Sequence, residues 1–148
     1  MNEKEKRNLR QMTNLHFAIQ ERNLEKVKFL VKSGADVNEK NISNLAPIHC
    51  AVLKGDLKIL MALVENGADC EAKVLNGYTV LHLAVFNNDL EIVKYLTSTG
   101  ANIYSIDNDG MNPLQHAFHS NLIDVLEVMI KQANQDTKDG YNTIRCRN

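Results

Sequence analysis

The sequence predicts a helical repeat protein, because one pattern of residues recurs at a fixed spacing of 33 positions. Two series at this spacing are the histidines and alanines His16, His49 and His82, and Ala18, Ala51, Ala84 and Ala117. A third series is Leu24, Leu57, Leu90 and Ile123. After Leu24, the apolar residues Val27, Leu30 and Val31 follow at the spacing of one helix face. Several series of residues with the same spacing indicate stacked copies of a single structural unit.

The residues within each register resemble the ankyrin-repeat family. The clearest copy reads Thr79-Val80-Leu81-His82-Leu83-Ala84, after Asn76-Gly77-Tyr78 and before the closing Gly100-Ala101-Asn102. A 33-residue period with a T-P-L-H-x-A signature is typical of that family. The resemblance covers roughly residues 10 to 140. It implies an all-α solenoid of helix-turn-helix units joined by β-hairpin fingers.

The repeat pattern divides the chain into six segments. They are a charged N-terminal leader (1–9), repeat 1 (10–42), repeat 2 (43–75), repeat 3 (76–108), a divergent repeat 4 (109–138) and a partial fifth repeat or C-terminal cap (139–148). The first helices of the four repeats are expected near 14–21, 47–54, 80–87 and 113–120. The second helices are expected near 24–33, 57–66, 90–99 and 123–132.

Glycine and proline fit these boundaries. Gly34 follows a second helix and predicts a left-handed C-terminal cap. Pro47 stands where a first helix begins, and at that position its missing N–H costs nothing. Gly55 predicts the tight turn between the two helices of repeat 2.

Repeat 4 departs from the pattern. Gln115 replaces the signature histidine, and His116 takes a position that is apolar in the other repeats. Ala133 and Asn134 stand where glycine and alanine belong. The next Asp-Gly pair comes 30 residues after the last instead of 33, which predicts a shortened finger. Polar replacements suit a terminal repeat, whose outer face meets water. Residues 139–148 either cover repeat 4 or begin a longer array, and the sequence allows both.

Composition excludes several classes of protein. The net charge of -1 argues against a surface dominated by phosphate contacts, so no nucleic-acid partner is expected. The longest apolar run, residues 59–64, is far shorter than the roughly 20 residues that span a membrane. The charged residues 1–10 contain no secretory signal. Three cysteines without metal-type spacing fit reduced thiols, so we expect an intracellular protein, cytoplasmic or nuclear.

The spacing of the histidines predicts a structural role, and not metal binding or catalysis. Neighbouring repeats are separated by about 8–10 Å, the distance between packed helices. Zinc ligands lie at about 2.0–2.3 Å, so the three signature histidines cannot readily share an ion. We therefore expect no metal and no cofactor, with each histidine bonded to the turn before its helix. His116 and His119 have no orienting carboxylate that the sequence identifies, and no nucleotide-binding or protease motif is present. These observations predict a protein that is not an enzyme.

Positions that the family leaves variable predict the binding surface. The finger-tip and helix-end positions carry apolar residues that the core does not require, and exposed apolar surface marks an interaction site. The candidate partner-binding residues are Leu45, Leu53, Lys54, Leu75, Tyr78, Phe86, Asn87 and Met111. We expect another protein to dock there, on the concave face, centred on repeats 2 and 3. A monomer is favoured.

Two alternatives for the function stay open. The chain resembles stand-alone inhibitors of NF-κB transcription factors, including viral or pathogen-encoded mimics. The other alternative is a fragment of a larger ankyrin scaffold, toxin, channel or ubiquitin-ligase adaptor. A further expectation concerns modification: Asn38 lies eight residues after Leu30, as in ankyrin repeats that an asparaginyl hydroxylase modifies.

Overall fold

The computed structural model describes residues 2–3 and 12–139. The chain divides into two compact units, Met1–Ala68 and Asp69–Asn148. Each unit is described by itself. The helices that the described residues form in unit 1 are α1 (Asn14–Gln20), α2 (Leu24–Lys32), α3 (Pro47–Leu53) and α4 (Leu57–Glu65). In the described part of unit 2, a short 3-10 turn (Leu75–Gly77) precedes α5 (Val80–Phe86), α6 (Leu90–Ser98), α7 (Pro113–His119) and α8 (Ile123–Lys138). Helices of adjacent repeats pack pairwise within each unit, so the all-α fold that the sequence predicts is confirmed.

Seven helices end within one residue of the predicted boundary, because each stop is set by a local signal. Gly34, Gly67 and Gly100 follow α2, α4 and α6, and their φ values of 97°, 88° and 88° are left-handed. α8 differs, since it ends at Lys138, six residues beyond the predicted 132. Ala133 lies where glycine stops the other helices, and alanine is the strongest helix former. The helix therefore continues through the segment for which a shortened finger was predicted.

The turn between paired helices requires a left-handed residue in every repeat. Gly55 has φ of 65°, as its sequence predicts. The equivalent positions of the other three repeats carry Arg22, Asn88 and Asn121, with φ of 53°, 49° and 54°. Asparagine tolerates this region better than most residues, whereas arginine does not share that advantage. The packing of the helix pair therefore sets this conformation even where the local preference is weak.

The four alanines of the 33-residue series lie on the first helices of the repeats. All four are fully buried. In unit 1 the fully buried Ile19 and Leu60 add larger apolar side chains to the same core. Burying a side chain of that size contributes about 1.5–3 kcal/mol.

Each finger contains a backbone hydrogen bond between residues four apart. The amides of Asn41, Val74 and Asp107 donate to the carbonyls of Leu45, Tyr78 and Met111, each over 2.9 Å. No strand forms over residues 12–139, so the predicted β-hairpins are tight turns without a ladder. The turns place the finger-tip side chains next to the first turn of the following helix.

Candidate functional site

The signature histidine of repeat 3 joins its own helix to the next finger. The backbone N–H of Thr79 donates to Nδ1 of His82 over 3.1 Å. Nε2 of His82 then carries the proton and donates to the carbonyl of Met111 over 3.2 Å. The ring is buried, and this burial lowers the pKa of His82, with the bond to Met111 acting in the opposite direction. His82 therefore serves as a neutral structural bridge.

Unit 1 repeats this arrangement at His16. Nδ1 lies 2.7 Å from the hydroxyl of Thr13, and Nε2 lies 2.8 Å from the carbonyl of Leu45. Burial again lowers the pKa of His16. In repeat 2, Nδ1 of His49 accepts the N–H of Ala46 over 3.0 Å. The predicted bond from each signature histidine to the turn before its helix is confirmed.

His116 has an orienting carboxylate, which the sequence did not identify. Its Nε2 lies 2.6 Å from Oδ2 of Asp107. Oδ1 of Asp107 accepts the backbone N–H groups of Asp109 and Met111, over 2.9 and 3.0 Å. Burial raises the pKa of Asp107, but the hydrogen bonds from His116 and the two amides outweigh it and hold the pKa below its usual value. The pair is separated by nine residues and meets because the finger turns back on α7.

His82, Asp107 and His116 are the group of side chains in the described residues that most resembles a metal site. Their candidate ligand atoms lie within 4.8 Å of one another. Zinc would require the lone pair of Nε2 on His82, yet that nitrogen carries the proton while Thr79 donates to Nδ1. Binding a metal would break this cap at the start of α5. The chemistry of the donors therefore opposes a metal here, and the expectation of no metal or cofactor stays a prediction.

His82 and His116 belong to an aromatic cluster, which we define as Tyr78, His82, Phe86 and His116. The ring of Phe86 meets Tyr78 edge-to-face at 4.9 Å and His116 edge-to-face at 4.9 Å. Edge-to-face contacts are the preferred geometry of aromatic pairs. Tyr78 and His116 are half-buried, whereas Phe86 exposes 45% of its surface. Phe86 is thus held on two sides and open to solvent on a third.

The other predicted partner-binding residues divide between the two units. In unit 2, Leu75 and Asn87 are exposed, and Met111 is half-buried with its carbonyl bonded to His82. In unit 1, Leu53 is exposed at the end of α3, while Leu45 and Lys54 are half-buried. Two of these residues also have a structural role, since the backbone carbonyls of Leu45 and Lys54 accept hydrogen bonds from the side chains of His16 and Arg22.

Asn38 lies exposed in the finger that follows α2. Its side-chain Nδ2 donates to the carbonyl of Gly67 over 3.1 Å, and its backbone N–H donates to Asp36. These bonds give the asparagine a structural role in unit 1. Its hydroxylation stays a prediction.

The cysteines of the described residues are Cys50 and Cys70, and neither forms a disulfide. Cys70 is buried, and Cys50 is half-buried on α3. Burial raises the pKa of Cys50 to about 11, so the thiol is protonated and unreactive at neutral pH. Cys146 lies outside the described residues. Over the described helices, none is long and apolar enough to cross a membrane.

Comparison with known families decides the identity of the repeats. The family described as Ankyrin repeats (3 copies) matches residues 48–139, and a second, Ankyrin repeats (many copies), matches residues 15–60. The chain belongs to the ankyrin-repeat family. Ankyrin repeats are generally protein–protein interaction modules and are typically not catalytic. A search of curated proteins finds no match to this ankyrin-repeat chain.

Proposed function

We propose that this ankyrin-repeat protein binds a partner protein, without catalysis, through its fingers and first helices. The centre of the surface is Phe86 in unit 2. Net charge is close to zero, which favours a protein over a nucleic acid as the partner. We further propose that it acts inside the cell, as a monomer when free.

The observation that carries this proposal is the exposure of an aromatic ring that packs edge-to-face against two neighbouring rings. Phe86 lies at the C-terminal end of α5, where the core does not need it, yet Tyr78 and His116 fix its orientation. Aromatic anchors at the centre of an interface carry a large share of the binding energy. A ring that is already ordered loses little entropy on binding. Phe86 therefore has the properties of a preformed anchor.

The proposed surface includes further residues in each unit. Leu75 adds exposed apolar area beside the finger of repeat 3, and Asn87 follows Phe86 directly. Leu53, Lys54 and Leu45 are the corresponding proposals in unit 1. An apolar centre with a polar rim is the usual composition of a protein interface.

Two narrower functions remain proposals of the same kind. A stand-alone inhibitor would bind an isolated transcription-factor domain tightly as the free chain. A fragment of a larger ankyrin protein would self-associate as its concentration increases, because its stacking face would be uncovered. Titration against such a domain, and sedimentation over a hundredfold range of concentration, separate the two.

The experiment that tests the surface compares two exposed phenylalanines. Phe86 lies on the first helix of repeat 3, and Phe29 lies on the second helix of repeat 1 with 67% of its surface exposed. Proteins captured from cell extract by wild type, Phe86→Ser and Phe29→Ser are quantified by mass spectrometry. The purified captured protein is then titrated against all three chains.

We expect Phe86→Ser to weaken binding by about thirtyfold or more, which corresponds to the loss of about 2 kcal/mol that defines a hot spot. Phe29→Ser should bind as wild type does. Equal loss in both variants, or full binding by Phe86→Ser, would refute the proposed surface.

A further inference from the structure

Two Asn-Gly pairs occur in the described residues, Asn66-Gly67 and Asn76-Gly77. An asparagine before glycine loses its side-chain amide spontaneously in water, because the backbone nitrogen of the glycine can attack Cγ of the asparagine. Glycine has no side chain to hinder this approach. The two pairs have the same reacting groups, so their folded surroundings decide which of them reacts faster.

Asn66-Gly67 is held in the C-terminal turn of α4 by side chains as well as by the backbone. The amide of Gly67 donates to the carbonyl of Val64 over 3.1 Å. Nδ2 of Asn66 donates to the carbonyl of Ala62 over 2.7 Å, which fixes the reacting side chain on the helix. The carbonyl of Gly67 accepts a further bond from Nδ2 of Asn38 over 3.1 Å. These two side-chain bonds add to the backbone bonds of the turn.

Asn76-Gly77 lies in the finger of repeat 3, between α4 and α5. Asn76 is exposed, and its side chain forms no hydrogen bond with the residues that the structure describes. The turn is held by backbone bonds: Gly77 donates to the carbonyl of Val74, and Asn108 donates to the carbonyl of Asn76, each over 2.9 Å. The ψ of 12° at Asn76 directs the glycine nitrogen away from the side chain. The turn must therefore open before Cγ can be attacked, and opening it breaks fewer bonds than opening the end of α4.

We propose that Asn76 is a site of spontaneous deamidation, in which the finger turn opens and the backbone nitrogen of Gly77 attacks Cγ of Asn76. That nitrogen gives its proton to a base from the solvent. The bond between Cγ and Nδ2 breaks, and the nitrogen takes a proton from water and leaves as ammonia. Water then hydrolyses the cyclic succinimide at either of its carbonyls, which yields aspartate or isoaspartate at position 76. The overall reaction consumes water and releases ammonia.

Repeat 4 shows that aspartate fits this position of the finger. Asp109-Gly110 lies 33 residues after the reacting pair. Gly110 has φ of 76°, against 77° for Gly77, and its amide donates to the carbonyl of Asp107 as that of Gly77 does to Val74. An ordinary aspartate at position 76 therefore leaves the turn intact.

Isoaspartate does not fit the turn in the same way, because its backbone runs through Cβ and Cγ and is longer by one atom. Gly77 packs so closely against the next finger that a Cβ on it would lie 2.6 Å from Oδ1 of Asn108. A lengthened backbone has no room there and separates the two fingers. The change lies between Leu75 and Tyr78 of the proposed binding surface and adds a negative charge to it. The modification does not rest on the proposed function, since it needs only the chain and water.

Ageing of the purified full chain at mildly alkaline pH tests the proposal. Peptides that contain each Asn-Gly pair are quantified by mass spectrometry over time, and fragmentation distinguishes isoaspartate from aspartate. The same measurement in a denaturing concentration of urea gives the rates without the fold. Hydrogen exchange at the amide of Asn108 is compared in fresh wild type, in the isoaspartate form and in Asn76→Asp.

In urea we expect similar rates at the two pairs. In the folded chain Asn76 should react about tenfold faster than Asn66 or more, since each of the two additional hydrogen bonds at Asn66-Gly67 contributes a factor of about two to ten. The amide of Asn108 should exchange faster in the isoaspartate form and as in wild type in Asn76→Asp. Equal rates at both pairs in the folded chain, or a faster reaction at Asn66, would overturn the proposal. A folded chain in which Asn76 does not react, although it reacts in urea, would overturn it too.

Discussion

His116 and Asp107 form a hydrogen-bonded pair of 2.6 Å between Nε2 and Oδ2, in which the carboxylate is fully buried. The same carboxylate holds the amides of Asp109 and Met111, so one side chain fixes the finger and joins it to α7. Phe86 meets the ring of His116 edge-to-face. The geometry of the proposed binding surface therefore depends on a buried polar network below it.

Removing this carboxylate should destabilise unit 2. Asp107→Ala leaves two amides and one imidazole without an acceptor, and each buried unsatisfied group costs about 1–3 kcal/mol. We expect a loss of about 3 kcal/mol in the free energy of unfolding, measured in urea. Asp107→Asn keeps an acceptor for the amides and should lose about half as much. A loss under about 0.5 kcal/mol for the alanine variant would contradict the role of this network.

The buried histidines should make stability depend on pH. The pKa of His82 in the folded chain lies below the 6.5 of an unperturbed histidine. The unfolded chain therefore binds more protons as the pH falls through 6.5, so the free energy of unfolding falls with it. His82→Gln should flatten this dependence between pH 7.5 and 5 and cost about 1 kcal/mol or less at pH 7.5. Gln115 already performs the same capping in repeat 4.

A matched variant separates the capping role of His82 from its titration. His82→Leu removes the cap and should lower stability at every pH. Urea titrations of wild type and both variants at several pH values provide the comparison. Part of the dependence of the free energy of unfolding on pH should remain in each variant, because burial lowers the pKa of His16 as well. A His82→Gln chain with the full wild-type slope would contradict this assignment.

Two glycines with almost the same backbone angle should respond differently to alanine. Gly77 and Gly110 have φ of 77° and 76°, so both variants incur the strain of a left-handed alanine, about 1–2 kcal/mol. A Cβ at Gly77 would lie 2.6 Å from Oδ1 of Asn108, whereas one at Gly110 meets nothing within 4 Å. Thermal unfolding should therefore show a larger loss for Gly77→Ala. Equal losses would mean that Asn108 moves aside without cost.

The extension of α8 should depend on residue 133. Ala133→Gly restores the residue that stops the other second helices, and glycine inside a helix costs about 1 kcal/mol relative to alanine. Hydrogen exchange at the amides of residues 134–138 should become faster, while α7 keeps its protection. If the exchange rates of residues 134–138 were the same as in wild type, the end of α8 would be stabilised by contacts beyond residue 133 and not by the helix propensity of Ala133.

The sequence was sufficient for most of the fold, because the repeat carries its own signals. The glycines after α2, α4 and α6 and the prolines that begin α3 and α7 are local features that a single chain displays. The length of α8 was not predicted, since the 30-residue step between the two Asp-Gly pairs was interpreted as a shorter finger. The left-handed angles at Arg22, Asn88 and Asn121 were also missed. The 33-residue spacing from Gly55 could have revealed them.

The candidate site was less predictable because it depends on contacts across the sequence. Phe86 and Tyr78 were found as variable positions, but their contact with each other and with His116 requires the folded chain. Asp107 was overlooked because it lies nine residues before its partner, in a finger. A polar residue at an apolar repeat position, as at His116, is the signal that should prompt a search for a buried partner.

Hydrogen exchange of the chain with its captured partner tests the central claim most directly. Amides around Phe86, over residues 75–88, should exchange more slowly in the complex, together with those around Leu53. Exchange in the second helices α2 and α4 should stay as it is in the free chain. Protection confined to the second helices, with residues 75–88 unchanged, would contradict binding through the fingers and first helices.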